Sequence, residues 1–109
     1  MTTFEKLKKN GIIFNYEDLV HICMKYRVAE LSVFGSAIRG DFNEDSDVDF
    51  FVEWIDYTGH NQGWNFIRII DELKDLLNRD VDIVDKDAIR NPIRRKNILS
   101  SYEVIYDNR

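Results

Sequence analysis

The chain has 109 residues, 44% of them hydrophobic and 32% charged, with a formal net charge of -5. That composition suits one globular domain, residues 1–109, hiding roughly two-thirds of its unfolded surface, and excludes a disordered chain. The acidic balance argues against loose binding along a nucleic-acid backbone, and no apolar run approaches the roughly 18 residues of a membrane span.

The only cysteine is Cys23, so no disulfide forms within the chain. This fits a reducing cytosol, and a cytoplasmic protein is expected. The first residues, MTTFEKLKKNG, lack an apolar stretch after their charges and do not read as a signal peptide.

In chain order, Thr3 to Lys9 reads as a short helix closed by Asn10-Gly11. Asn15 caps a second helix running to about Tyr26, with Leu19, Ile22 and Cys23 on its inner face. Glu30 to Phe34 is the first strand, and a short helical turn can start at Gly35-Ser36. Val48 to Trp54 is the second strand, β-branched and aromatic. Residues 56–63 form a polar loop with Gly59 and Gly63.

The spacing of Phe66, Ile67, Ile70, Leu73, Leu76 and Leu77 predicts a long helix from Gly63 to Asn78. Val81 to Val84 is a third strand and Asp87 to Asn91 a turn. Pro92 opens a last helix to about Ser100, and residues 103–106, EVIY, form a final strand. The expected class is α/β (α+β), a small mixed sheet flanked by helices.

The chemistry concentrates in VFGSAIRGDFNEDSDVDFFV, residues 33–52. Asp47 and Asp49 stand at the mouth of an apolar strand, where two like charges repel and are costly to bury unpaired. Residues two apart on a strand share a face, with alpha carbons roughly 6.5 to 7 Å apart. Two carboxylates so placed can share hard cations such as magnesium. A pair of such ions, about 3.5 to 4 Å apart, makes the clamp used for in-line displacement at phosphorus.

Asp82 is a charged residue in the middle of an apolar strand, VDIV. With Val81 and Ile83 facing the core, pairing of the second and third strands puts Asp82 on the carboxylate face. There it can ligate a metal or take a proton from an acceptor hydroxyl. Gly35 lets the backbone approach a phosphate, Ser36 offers a hydroxyl at a helix start, and Arg39 lies one turn on. Each piece alone is common: Asp-x-Asp and Gly-Ser are mostly turns, and a lone strand Asp often only solvates an edge. Their order and flanking strands make the set specific.

Rival readings fit worse. An EF-hand loop starting at Asp41 requires Gly and Glu where the chain has Ser46 and Val52. A dehalogenase-type phosphatase places its acidic pair after an apolar strand, not before it. No Gly-Lys-Ser or Gly-Lys-Thr of a P-loop occurs.

The segment GSAIRGDFNEDSDVD runs Gly-Ser, ten residues from Ala37 to Ser46, then Asp-x-Asp. It resembles the signature of the nucleotidyltransferase superfamily of polymerase-beta type. With VDIV downstream, the chain looks like the minimal nucleotidyltransferases over roughly residues 28 to 106. The resemblance implies that Gly35 and Ser36 hold the nucleotide phosphates, with Arg39 beside them. It implies that Asp47 and Asp49 bind magnesium, two ions in all, and that Asp82 completes a catalytic and metal-binding triad. Many relatives carry two arginines after the Gly-Ser; here Ala37 takes the first place and Arg39 remains. The resemblance further implies an antitoxin that transfers AMP from ATP to a tyrosine of a helical HEPN RNase toxin. The alternatives are an antitoxin that only occludes its toxin, and an enzyme modifying a small hydroxylated molecule. The lack of a second domain to bind such a molecule counts against the last.

Other residues read as structural. His21 and His60 have no second ligand nearby in sequence, and Cys23 is a small core hydrophobe. Trp54 and Trp64 bracket the polar loop and are read as core or interface residues rather than as an adenine stack. Arg94, Arg95 and Lys96 form the one basic cluster, read as a solvated helix face rather than a triphosphate or partner contact.

Overall fold

The computed structural model describes residues 2–55, 62–85, 92, 93, 96 and 101–108. The described helices and strands are α1 Thr3–Lys9, α2 Tyr16–Lys25, β1 Val28–Phe34, α3 Ser36–Arg39, β2 Val48–Trp54, α4 Gln62–Leu77, β3 Val81–Asp85 and β4 Tyr102–Asp107. The strands form one mixed sheet in the order β3-β2-β1-β4. β1 pairs antiparallel with β2 and with β4, and β2 pairs parallel with β3. The fold is α+β, as expected.

Local chemistry explains the helix starts. The Thr2 hydroxyl accepts from the Glu5 N–H, and the Asn15 side chain accepts from the Glu17 and Asp18 N–H groups. Both acceptors satisfy first-turn donors that a helix leaves orphaned. α2 ends at Tyr26, and Arg27 then takes a left-handed φ of 56°. That reversal feeds directly into β1, so the first strand starts at Val28, two residues before the predicted Glu30.

Alternation in the strands divides the sheet. Leu31 and Val33 of β1 lie opposite Val52 and Phe50 of β2, and Val81 and Ile83 lie beside Val48 and Phe50. These residues join Leu19, Ile22 and Cys23 of α2 and Ile69, Leu73 and Leu77 of α4 in one buried cluster. Ile69 is wholly buried while Ile67 is exposed, so the inner stripe of α4 runs 66-69-70-73-76-77 rather than through Ile67. At 100° per residue Ile69 lies about 40° from Leu73 and about 60° from Phe66, whereas Ile67 lies about 160° from it.

The predicted aromatic and histidine roles separate. Trp54 is buried, and its Nε1 donates to Asp85 Oδ2 at 3.0 Å. Trp64 is exposed, so the core reading fails there. Cys23 is buried, and burial pushes its thiol up to about 12. His21 is exposed on α2. The expected turn at 87–91, His60, Arg94 and Arg95 lie outside the described residues. Of the last predicted helix, residues 92, 93 and 96 are described; all three are helical and exposed.

Candidate active site

Three strand ends meet at one edge of the sheet. β1 runs out where β2 begins, because the two are antiparallel; β3 begins beside β2, because they are parallel. The register places Phe34 opposite Asp49, so Gly35 follows directly beside that aspartate. It also places Asp49 abreast of Asp82. Adjacent strands lie about 4.8 Å apart, and Asp47 stands immediately before β2, two residues from Asp49. The predicted acids and the Gly-Ser turn are thus brought to one edge.

Asp47 and Asp82 are exposed and Asp49 is half-buried. Among the described residues no three His, Cys, Asp or Glu side chains group as a cation site. The donor set nonetheless suits a hard divalent ion. All three offer carboxylate oxygens, Asp49 and Asp82 at paired strand positions and Asp47 just before β2.

Gly35 is tightly specified. Its φ is 77° and ψ -150°, a conformation almost closed to residues with a side chain. A Cβ there collides with Asp49 Oδ2 and lies 3.3 Å from Asp49 Cγ. The glycine therefore lets the Asp49 carboxylate lie over the backbone at the start of α3. Asn10 Nδ2, from the end of α1, donates to the Ala37 carbonyl at 2.8 Å and ties α3 in place. Arg39 Nη2 pairs with Asp41 Oδ2 at 3.2 Å on the exterior. That hydrogen bond is the main cause holding the Asp41 carboxyl below its ordinary value.

The loop before Asp47 is internally braced. The Ser46 and Asp45 N–H groups donate to Asn43 O and Oδ1, and the Asn43 N–H donates to Ser46 Oγ. The turn after α4 braces it from outside. Arg79 Nη2 donates to the carbonyls of Asn43, Glu44 and Ser46, and its guanidinium lies 4.4 Å from the centre of the Phe42 ring. A cavity of about 410 Å³ opens between loop and turn, with Asp47, Arg79 and Asp80 among its walls. The sequence reading missed Arg79. Its signal was a lone arginine in the short turn between a long helix and the strand that carries the third acid.

The family model described as Polymerase beta, Nucleotidyltransferase matches residues 17–109. The chain belongs to that family. It is a nucleotidyltransferase. The protein adenylyltransferase MntA of Thermococcus cleftensis is 37% identical over 82 residues, covering 75% of this chain and 77% of its own. A provisionally named protein adenylyltransferase of Methanocaldococcus jannaschii is 39% identical over 74 residues, covering 68% and 72%. A solved structure provisionally described as a minimal nucleotidyltransferase superposes with a TM-score of 0.66 at 29% identity, covering 97% of this chain and 96% of that one. A crystal structure of a toxin-antitoxin with AMP-PNP also reaches 0.66, covering 86% and 74%. At 19% identity that last likeness speaks for the fold alone.

Proposed function

We propose that this chain is the antitoxin of a toxin-antitoxin pair and transfers AMP from ATP to a tyrosine hydroxyl of a HEPN-type RNase toxin. The observation that carries the reading is the register that sets Asp49 abreast of Asp82 with Gly35 against it. Support comes from the relative named protein adenylyltransferase MntA and from the fold shared with toxin-antitoxin structures. A single-domain chain in the cytoplasm fits this role, the partner forming the other wall of the cleft.

Gly35 and Ser36 receive the triphosphate, the glycine by admitting close backbone approach and the serine by donating its hydroxyl. Arg39 reaches a phosphate oxygen on releasing Asp41. Asp47, Asp49 and Asp82 would hold the magnesium, two ions in this reading. What bound magnesium supplies is neutralisation of the triphosphate and of the leaving group. The tyrosine oxygen attacks the α-phosphorus, the bond to the bridging oxygen of the β-phosphate breaks, and pyrophosphate leaves. The phenolic proton passes to a carboxylate, for which Asp82, exposed on its strand, is the assigned acceptor.

A binding-only antitoxin is the alternative reading. Calorimetry of ATP binding with magnesium or with EDTA tests the first. The three acids repel one another and the triphosphate, so affinity should vanish in EDTA. Equal affinity in both conditions removes the metal site from the account.

A further inference from the structure

We propose that Arg79 is a positioning residue that sets the distance between the three carboxylates; this rests on the metal-site reading above. The α4–β3 turn grips the peptides on both sides of Asp47. Before it, the Ser46 carbonyl accepts from Arg79 Nη2 at 3.4 Å. After it, the Val48 N–H donates to the Asp80 carbonyl at 3.0 Å. Asp82 follows two residues later and lies beside Asp49. One short segment, 79–82, thus fixes where Asp47 stands and carries the third acid itself.

The other contacts of Arg79 serve the same end. Its guanidinium takes the Asn43 and Glu44 carbonyls at 3.2 Å each and stacks on Phe42 in the same loop. Asn78, with φ 53°, turns the chain out of α4 so that the arginine faces the loop. Without Arg79 the loop keeps its own Asn43–Ser46 hydrogen bonds and the Val48–Asp80 backbone bond but loses the side-chain tether on the Ser46 side of Asp47. Asp47 is then held to the turn on its Val48 side only, while Asp49 and Asp82 stay on their ladder.

Position and charge predict opposite signs. A guanidinium near a cation site repels the cation, so Arg79 acting only as a charge makes Arg79→Ala bind divalent ions more tightly. Arg79 acting as a positioning residue makes the variant bind them more weakly. Loss of partners that orient metal ligands costs about 10- to 100-fold in affinity.

The test is binding of Mn2+ alone to the full chain, followed by electron paramagnetic resonance. Its companion is the Mg2+ concentration giving half-maximal label transfer from ATP to the partner. Arg79→Ala should weaken Mn2+ binding about 10-fold and raise the half-maximal Mg2+ concentration in step. Ile69→Val, a core change away from the loop, should lower the melting temperature and leave both metal readouts alone. Arg79→Lys, whose ammonium reaches some of the carbonyls but cannot stack flat on Phe42, should fall between. It carries the test should the alanine variant not fold. Mn2+ affinity unchanged or tightened in either variant overturns the proposal. Wild-type protein that binds no Mn2+ overturns the metal-site reading itself, and this proposal with it.

Discussion

Gly35→Ala is the sharpest perturbation of the site, because two separable costs meet at one atom. The first is backbone strain. At φ 77° and ψ -150° an alanine lies in a region essentially reserved for glycine, costing about 1 to 3 kcal/mol. The second is collision of the new Cβ with Asp49 Oδ2, with Cγ at 3.3 Å. Relieving it pushes the aspartate off its rotamer for about 0.5 to 1.5 kcal/mol. Together they come to about 1.5 to 4.5 kcal/mol, a fall in melting temperature on the order of 6 to 35 °C. Gly40→Ala is a positive-φ control without the collision. Gly40 has φ 102°, but nothing lies within 4 Å of a Cβ there. Adding Asp49→Ala to Gly35→Ala removes the collision, so the double variant should be more stable than the sum of the singles by about 0.5 to 1.5 kcal/mol. Denaturant or thermal melts of the four variants decide it. Additive effects, with Gly35→Ala no worse than Gly40→Ala, refute the claim that the glycine makes room for Asp49.

Leu73→Ala should cost about 2 to 5 kcal/mol in urea melts, since the side chain is wholly buried between α4 and the sheet. The Cys23 thiol should resist thiol reagents at pH 8 in native protein and react on unfolding, because burial pushes its pKa up to about 12. The linked pH effect has a fixed sign. Below the ordinary thiol value of 9.0 both states hold the proton; above it the unfolded chain ionises first. Stability therefore falls as pH rises from about 9 towards 12, by up to about 1.4 kcal/mol per unit from this group, and a Cys23→Ala variant should show a shallower fall. Initial rates at saturating magnesium should drop less for Ser36→Ala, which loses one hydrogen bond worth about 1.5 to 3 kcal/mol, than for Asp47→Asn. The reverse ranking would exchange the two roles.

Much of this was readable in the chain because chemistry and periodicity agreed. Asp82 interrupts an apolar strand, and the parallel register sets it beside Asp49, as the pairing of the second and third strands predicts. Asn15 reads as a cap, and it caps. What escaped depended on atoms far apart in sequence. The choice between Ile67 and Ile69 is set by how α4 rolls on the sheet, to which a tally of apolar residues is nearly blind. The Arg79 contacts join residues more than thirty positions apart and run from a side chain to backbone carbonyls, which leave no mark on residue identity. The early start of β1 turns on one left-handed residue, Arg27, of a type that rarely signals it.

The central claim, that the acidic edge transfers AMP to a partner, is met most directly by one measurement. The chain, ATP labelled at the α-phosphate, magnesium and the candidate HEPN toxin are incubated together, and label on the toxin is followed alongside its RNase activity. The account predicts that label moves to a toxin tyrosine as RNase activity falls. It predicts that Asp47→Asn with Asp49→Asn abolishes both effects while the protein stays folded, since the change removes like-charge repulsion and adds no bulk. A folded double variant that transfers no label yet silences the toxin at equimolar ratio would contradict it.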